Sequence, residues 1–275
     1  VEHSLWLSLL RERLELLKRL LAKNGTIFIH IDDNELGYLL VLADEIFGRS
    51  NRRYVISFKQ GSATGHKSIN PGCVNTTNFI LIYSKSQADW EPNRVFTARD
   101  VDRRYNQCIE NYDDDFAGWQ IVPLFKTFSE DIGVSDKVAR KMVKDKPSLL
   151  DEWVIKNADR VVQLANPDYN SVGAETRNFI DMSLGQPDVV FKQVREGYPD
   201  IYLRNGKRIL FYSSKLKKID GRFVSGEPLT TLWDDLLSNN IHKEGGVKFP
   251  KGKKPEALIK RCIEMSTNEG DIVLD

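Results

Sequence analysis

Several short stretches of this 275-residue chain combine residue types at spacings that chemistry can use. Asp32 and Asp33 stand together after the apolar run "TIFIHI", where paired carboxylates can hold Mg²⁺ or, more simply, cap the helix that follows. Lys254-Pro255-Glu256 precedes an apolar helical stripe: Pro255 suits the first turn of a helix, Glu256 its positive end, and Lys254 reads as a solvated surface cation. "ANPDYN" sets Asn166, Pro167, Asp168 and Tyr169 in an order a motif search would stop at, yet "VVQLANPDYN" reads as a helix end and a proline turn. His3, His30, His66 and His242 have no metal-ligand spacing, and His30 in an apolar strand reads as a satisfied core imidazole, so no metal is expected.

The elements that must position these residues follow from periodicity. Leucines 9, 10, 14, 16, 17, 20 and 21 form an apolar stripe at helical spacing, with Lys23-Asn24-Gly25 as its basic last turn and stop. "TIFIHI" is a strand, and Asp32 with Glu35 has the spacing of a capping box for the helix "NELGYLLVLADEIF", ended by Gly48. "YVISFK" and "NFILIYS" are two further strands with no helix between them, which predicts an antiparallel pair. Their connection, "QGSATGHKSINPGCVNTT", is long for a structureless loop and is a candidate for function.

From about Ser86 the apolar periodicity weakens and charge becomes denser. Helices are expected over "SDKVARKMVKD" and "PSLLDEWVIKNADRVVQLA". "DIYLRNGKRILFY" and "KLKKIDGRFVS" read as β-hairpins, because Asn205-Gly206 and Asp220-Gly221 accept the positive φ angles of tight turns. Beyond Pro228, Ala257, Leu258, Ile259, Cys262, Ile263 and Met265 include the apolar face of a helix, and "DIVLD" reads as a buried strand ending on Asp275.

Composition sets the outer limits. With 41% hydrophobic and 29% charged residues the chain can bury a substantial core, and a net charge of +1 neither requires a polyanionic partner nor excludes a local basic face. Cys73, Cys108 and Cys262 are odd in number and widely spaced, as in a reduced cytoplasmic protein. The N-terminal leucine-rich segment carries Arg11, Glu12, Arg13, Glu15, Lys18 and Arg19, too many charges for a signal peptide or a membrane span.

"KFPKGKKPEALIKRCIEMSTNEGDIVLD" resembles the segment entering the cofactor site of amino-methylating DNA methyltransferases of the β arrangement, where Lys-Pro opens a helix and the next strand leads to a Phe-x-Gly-x-Gly loop. "WLSLLRERLELLKRLLAKNGTIFIHIDDNELGYLLVLADEIFG" is similar to the part of those enzymes that follows their Asp-Pro-Pro-Tyr loop. With "VREGYPDIYLRNGKRILFYSSKLKKIDG" and "NNIHKEGGVKFPKGKKPE", the resemblance covers nearly the whole chain and points to Mod subunits of type III restriction-modification systems.

That resemblance implies an α/β fold: an incomplete Rossmann-like methyltransferase sheet, residues 1–90 and 229–275, with an inserted mixed α+β target-recognition domain, residues 91–228. It implies S-adenosylmethionine as cofactor, double-stranded DNA as substrate with N6 of adenine as target, a Mod homodimer, a restriction subunit as partner, and no membrane. The chain looks like an internal segment, without the catalytic and glycine-loop motifs and inactive alone; a non-catalytic DNA-binding or subunit-assembly module is the alternative. Carried onto this sequence, Lys254, Pro255 and Asp275 become cofactor-site residues, with Asp275 equally able to cap the element after it. Tyr83 is a stacking residue of the base pocket or a core residue. His66 and Lys67 in the long loop, and Arg204, Lys207, Arg208, Lys215, Lys217 and Lys218 around the two hairpins, are phosphate contacts or, for the hairpins, lysine-protected sheet edges.

Overall fold

A computed structural model describes residues 2–63, 69, 72–236, 241–247 and 252–275. The chain divides into two compact units, one of residues 1–95 and 228–275 and one of Phe96–Glu227.

The first unit begins with α1 (Glu2–Leu20), β1 (Thr26–Ile31), α2 (Leu36–Phe47), β2 (Arg52–Lys59) and β3 (Thr77–Ser84). The second holds β4 (Phe96–Ala98), β5 (Gln107–Ile109), β6 (Ile121–Pro123), α3 (Leu124–Asp131), α4 (Asp136–Asp145), α5 (Ser148–Lys156), β7 (Val161–Ala165), α6 (Ala174–Gly185), β8 (Phe191–Gln193), β9 (Ile201–Arg204), β10 (Lys207–Phe211), β11 (Leu216–Ile219) and β12 (Arg222–Pro228). The chain then returns to the first with β13 (Leu232–Trp233) and α7 (Glu256–Ser266).

In the first unit the sheet order is β1-β3-β2-β13. β3 is antiparallel to both β1 and β2, and β13 is parallel to β2, so three strands run one way around a single reversed one. Strand parity divides the side chains between two cores. Ile27, Ile29, Val55, Leu81 and Tyr83 face α1 and α2, packing with Leu14, Leu39, Leu42, Ala43, Ile46 and Phe47. Phe28, Ile56, Phe58, Ile80 and Ile82 face α7, packing with Trp233, Leu258, Cys262 and Met265.

The leucine stripe of α1 is narrower than its sequence implies. Leu10, Leu14, Leu17 and Leu21 recur every three or four residues and join the core, whereas Leu9, Leu16 and Leu20 are exposed on the other side. The capping box before α2 does not form: the helix starts at Leu36 after Glu35, with no side-chain cap, and the Asp32 carboxylate instead accepts from Asn34 N at 3.1 Å. Asp32 is thus a turn residue. Gly48 ends α2 as expected, at φ 92° with its N–H on Asp44 O.

The second unit is built on a six-stranded sheet, β6-β5-β7-β10-β9-β8, and a three-stranded one, β11-β12-β4. Both expected hairpins are present, with Asn205, Gly206, Asp220 and Gly221 all at positive φ. Val161–Ala165 corrects one expectation: "VVQLA" is the interior strand β7, paired on both sides by β5 and β10, rather than a helix end. Its β-branched valines fill cores on both faces of the sheet, and that packing overrides the helical reading.

A second correction concerns the final run. Residues 271–275 form no strand, and Ile272, Val273 and Leu274 are exposed. A strand needs a ladder partner, and this run pairs with none of the described strands.

Candidate functional site at the carboxyl ends of the parallel strands

In an open α/β sheet, ligands bind outside the carboxyl ends of the parallel strands. Here that end is formed by His30 near the close of β1, Phe58 near the close of β2, Trp233 at the close of β13, and Asn78 near the start of the reversed strand β3. Asn78 lies directly opposite Phe58, and Phe58 opposite Trp233. By parity His30, Phe58 and Asn78 share the face covered by α7.

The imidazole of His30 packs against Phe58, ring centroids 5.2 Å apart, and its Nε2 meets Asn78 Nδ2 at 3.2 Å. Burial, reinforced by the nearby Lys254 ammonium and opposed by Asp32, pushes the His30 pKa down to about 4. At neutral pH the ring is therefore uncharged: the Asn78 amide donates to Nε2, and the ring proton sits on Nδ1. His30 is the satisfied imidazole expected from its strand, and it is also a neighbour of Lys254.

Lys254 is carried in by the start of α7. Pro255 is the N-cap, with its carbonyl accepting from Leu258 N at 3.0 Å, and the Glu244 carboxylate accepts from Glu256 N at 2.8 Å. Lys253 is tied down separately, donating to the carbonyls of Glu244 and Val247 at 2.6 and 2.8 Å. On the helix itself, Leu258, Cys262 and Met265 face the sheet, and burial raises the Cys262 thiol pKa to about 12, which keeps it inert. Arg261 forks onto Asp235 at 2.6 and 3.0 Å and lies over the Trp233 ring, fixing α7 against β13.

Lys254 is only partly exposed, and burial lowers its pKa. A half-buried ammonium at the carboxyl ends of the three like-directed strands, without a compensating acid among the described residues, fits an anionic ligand group. A cofactor carboxylate meets that description.

Tyr83 occupies a different place. It is fully buried on the α1/α2 face, packs against Phe47, and donates its hydroxyl to Asp44 Oδ1 at 2.6 Å. Its cross-strand neighbours are Ile27 and Arg52, at the amino ends of β1 and β2. Tyr83 is therefore on the opposite face and at the opposite end of the sheet from Asn78 and His30. Alternation within "NFILIYS" could have shown that Asn78 and Tyr83 diverge.

Asp275 is exposed in the final run, away from any described strand. His66 and Lys67 lie outside the described residues. The hairpin cations do not form one face. Arg204 and Lys207 are opposite each other across β9 and β10, while Arg208 points to the other face, opposite Leu203 and Ala165. Lys217 and Lys218 belong to the other hairpin and another sheet, and Lys215 to the short helical turn that precedes it: Lys215 lies 4.0 Å from Asp102, Lys217 donates to Ser214 O at 2.7 Å, and Lys218 is exposed. In "ANPDYN", Asp168 accepts from Asn170 N and Ser171 Oγ, and Tyr169 donates to Asp181. That acid is occupied as a turn former. No group of three or more His, Cys, Asp or Glu side chains able to hold a metal occurs among the described residues.

The match to a family of known proteins runs the length of the molecule: residues 1–275 fit the DNA methylase family of N6/N4 methyltransferases. The chain belongs to that family. Among curated relatives it is 31% identical over 296 residues to the probable type III restriction-modification enzyme HindVI Mod subunit of Haemophilus influenzae, a match covering 99% of this chain and 39% of that protein. The StyLTI Mod subunit of Salmonella typhimurium is 25% identical, over 99% of this chain and 36% of its own length. The EcoPI Mod subunit of Escherichia phage P1 is 24% identical, over 99% and 41%. The chain thus spans about two fifths of the length of these relatives. No described helix is long and apolar enough to cross a membrane.

Proposed function

We propose that this DNA methylase chain is a segment of a cytoplasmic, site-specific DNA methyltransferase of a type III restriction-modification system, using S-adenosylmethionine to modify N6 of adenine. The observation that carries the reading is the family match along all 275 residues, joined to Mod-subunit likeness over 99% of the chain. In this reading the β1-β3-β2-β13 sheet is one side of a Rossmann-like cofactor fold; three parallel strands around one reversed strand support it. Phe96–Glu227 is the inserted target-recognition domain, supported by its compactness as a separate unit. The working enzyme is a Mod homodimer on double-stranded DNA, partnered by a restriction subunit.

S-adenosylmethionine supplies, when bound, an electrophilic methyl group on a sulfonium. This chain's contribution is to hold it. Lys254 meets the cofactor carboxylate, Pro255 sets the start of the helix that presents Lys254, and Asp275 lines the approach to the glycine loop. The neutral His30 and Asn78 keep the neighbouring cleft polar without adding a second charge beside Lys254. Arg204, Lys207, Arg208, Lys215, Lys217 and Lys218, with His66 and Lys67, contact phosphates from more than one surface.

Neither Asp-Pro-Pro-Tyr nor Phe-x-Gly-x-Gly occurs in the sequence, so the chain alone transfers no methyl group. The same absence favours a second reading, a DNA-binding or subunit-assembly module without catalysis. The test fuses this chain to the two motif-bearing segments of a related Mod subunit and digests treated DNA to nucleosides. N6-methyladenine is the expected product. Unmodified DNA from a folded fusion, or methylcytosine alone, overturns the adenine methyltransferase reading.

A further inference from the structure

The six-stranded sheet of the second unit carries an aromatic feature apart from the Lys254 site. Tyr112, Trp119, Tyr202 and Phe211, with Ser213 and Ser214, line a cavity of about 440 Å³. That size falls among small-ligand sites. Three of the rings lie roughly parallel, Tyr112 stacked on Trp119 at 5.5 Å between centroids with a 24° tilt and Trp119 5.2 Å from Tyr202 with a 31° tilt, while Phe211 stands edge-on to Trp119 at 5.9 Å. The opposite face of this sheet packs against helices through Val161, Leu203 and Leu210.

Charge around the cavity is unequal. On the serine side, Lys217 donates to the Ser214 carbonyl at 2.7 Å, and Lys215 closes the same short helical turn as Ser213 and Ser214. On the Tyr112 side an adjoining polar cavity of about 310 Å³ includes Asp113 and Asp159 in its lining. Its other charges are Glu110, held by Lys126 at 2.6 Å, Arg160, held by Asp131 and Asn157, and the exposed Lys156. Aromatic side chains on a sheet face stack flat nucleobases, lysines meet phosphates, and carboxylates accept from exocyclic amino groups.

We propose that this cavity receives one unstacked nucleobase with an exocyclic amino group, adenine or cytosine, its phosphate toward Lys215 and Lys217 and its amino group toward Asp113 and Asp159. The inference rests on the DNA-modification reading and adds a base-holding site borne by the second unit itself. Tyr112, the most exposed of the four rings at 37%, is the one a base can cover directly.

The 275-residue chain is titrated at several salt concentrations with short fluorescein-labelled strands of deoxyadenosine, deoxycytidine, thymidine or abasic sites. Adenine and cytosine strands bind at least about fivefold tighter than abasic ones, the lower bound for a stacked base. They also bind tighter than thymidine strands, which lack the amino group. Tyr112→Leu removes that advantage and Tyr112→Phe keeps it, both leaving the salt slope unchanged, whereas Lys217→Gln lowers the slope. Asp159→Ala, at an exposed position, keeps the fold and narrows the preference over thymidine by removing one of the two acceptors, which serves if Tyr112→Leu fails to fold. Equal affinity for abasic and base-bearing strands, or a folded Tyr112→Leu chain with wild-type affinity, overturns the cavity site while leaving DNA binding intact. No binding to any strand overturns both readings.

Discussion

The two faces of the β1-β3-β2-β13 sheet are made by the same strands yet are chemically unlike. The face toward α1 and α2 is closed by leucine, isoleucine and phenylalanine, with one phenol spending its hydroxyl on Asp44. The face toward α7 is equally apolar near its middle but ends in an imidazole, an amide and a half-buried ammonium. One face has its polar groups satisfied within the fold; the other keeps a cation that nothing described neutralises. In β1, β2 and β3 the site is set by which residues fall on even positions, since Phe28 and His30, Ile56 and Phe58, and Asn78, Ile80 and Ile82 look one way and Leu81 and Tyr83 the other.

Mutations can break or sharpen that contrast. The largest effect belongs to the closed face: Leu81→Ala leaves a cavity beside fully buried neighbours and costs about 3 kcal/mol in chemical denaturation. Tyr83→Phe on the same face removes the donor to Asp44 Oδ1 but leaves Arg52 and Arg49 beside Oδ2, and costs about 1 kcal/mol while leaving methyl transfer by the motif-completed fusion unchanged. A loss of activity without a loss of stability would place Tyr83 in a site after all. On the open face, Asn78→Ala costs about 1 kcal/mol or less, because its amide is only partly buried.

The pH dependence isolates His30. The ring stays neutral in the fold down to about pH 4 but takes a proton near 6.5 in the unfolded chain, so the unfolded state binds more protons between those values. Stability is complete above about 6.5 and falls as pH drops toward 4, and the His30→Gln chain shows a flatter profile across that window in thermal melts. The smallest effect on stability is at Lys254: Lys254→Met changes it by about 0.5 kcal/mol or less. That substitution raises the His30 pKa, read by NMR titration, and weakens S-adenosylmethionine binding by the fusion. Unchanged titration of His30 would separate the two residues.

Much of the fold was legible because local signals agreed with tertiary demands. "TIFIHI", "YVISFK" and "NFILIYS" are β-branched or aromatic runs, and the Asn205-Gly206 and Asp220-Gly221 turns follow from backbone sterics alone. β7 was not legible, since Val161 to Ala165 follows a helix with only a short break and owes its extended form to two distant partners, β5 and β10. At the site, the start of α7 at Pro255 could be read from proline and glutamate chemistry, but Asn78 could not, because an asparagine opening a strand carries no local mark. The aromatic cavity was equally hidden: the pair Tyr112 and Trp119 lies far in sequence from the pair Tyr202 and Phe211, and the two pairs meet only through sheet order.

The reversed strand β3 has a consequence for biosynthesis. It is inserted between β1 and β2, which precede it in the chain and do not pair with each other. On the ribosome, β1 and β2 wait for β3, the neighbour they share, until Ser84 has left the exit tunnel, and β13 docks only after the whole of Phe96–Glu227 has followed. The nascent chain therefore passes through a long interval with the free edge of β2 uncovered, a stage at which chaperones have a strand to shield.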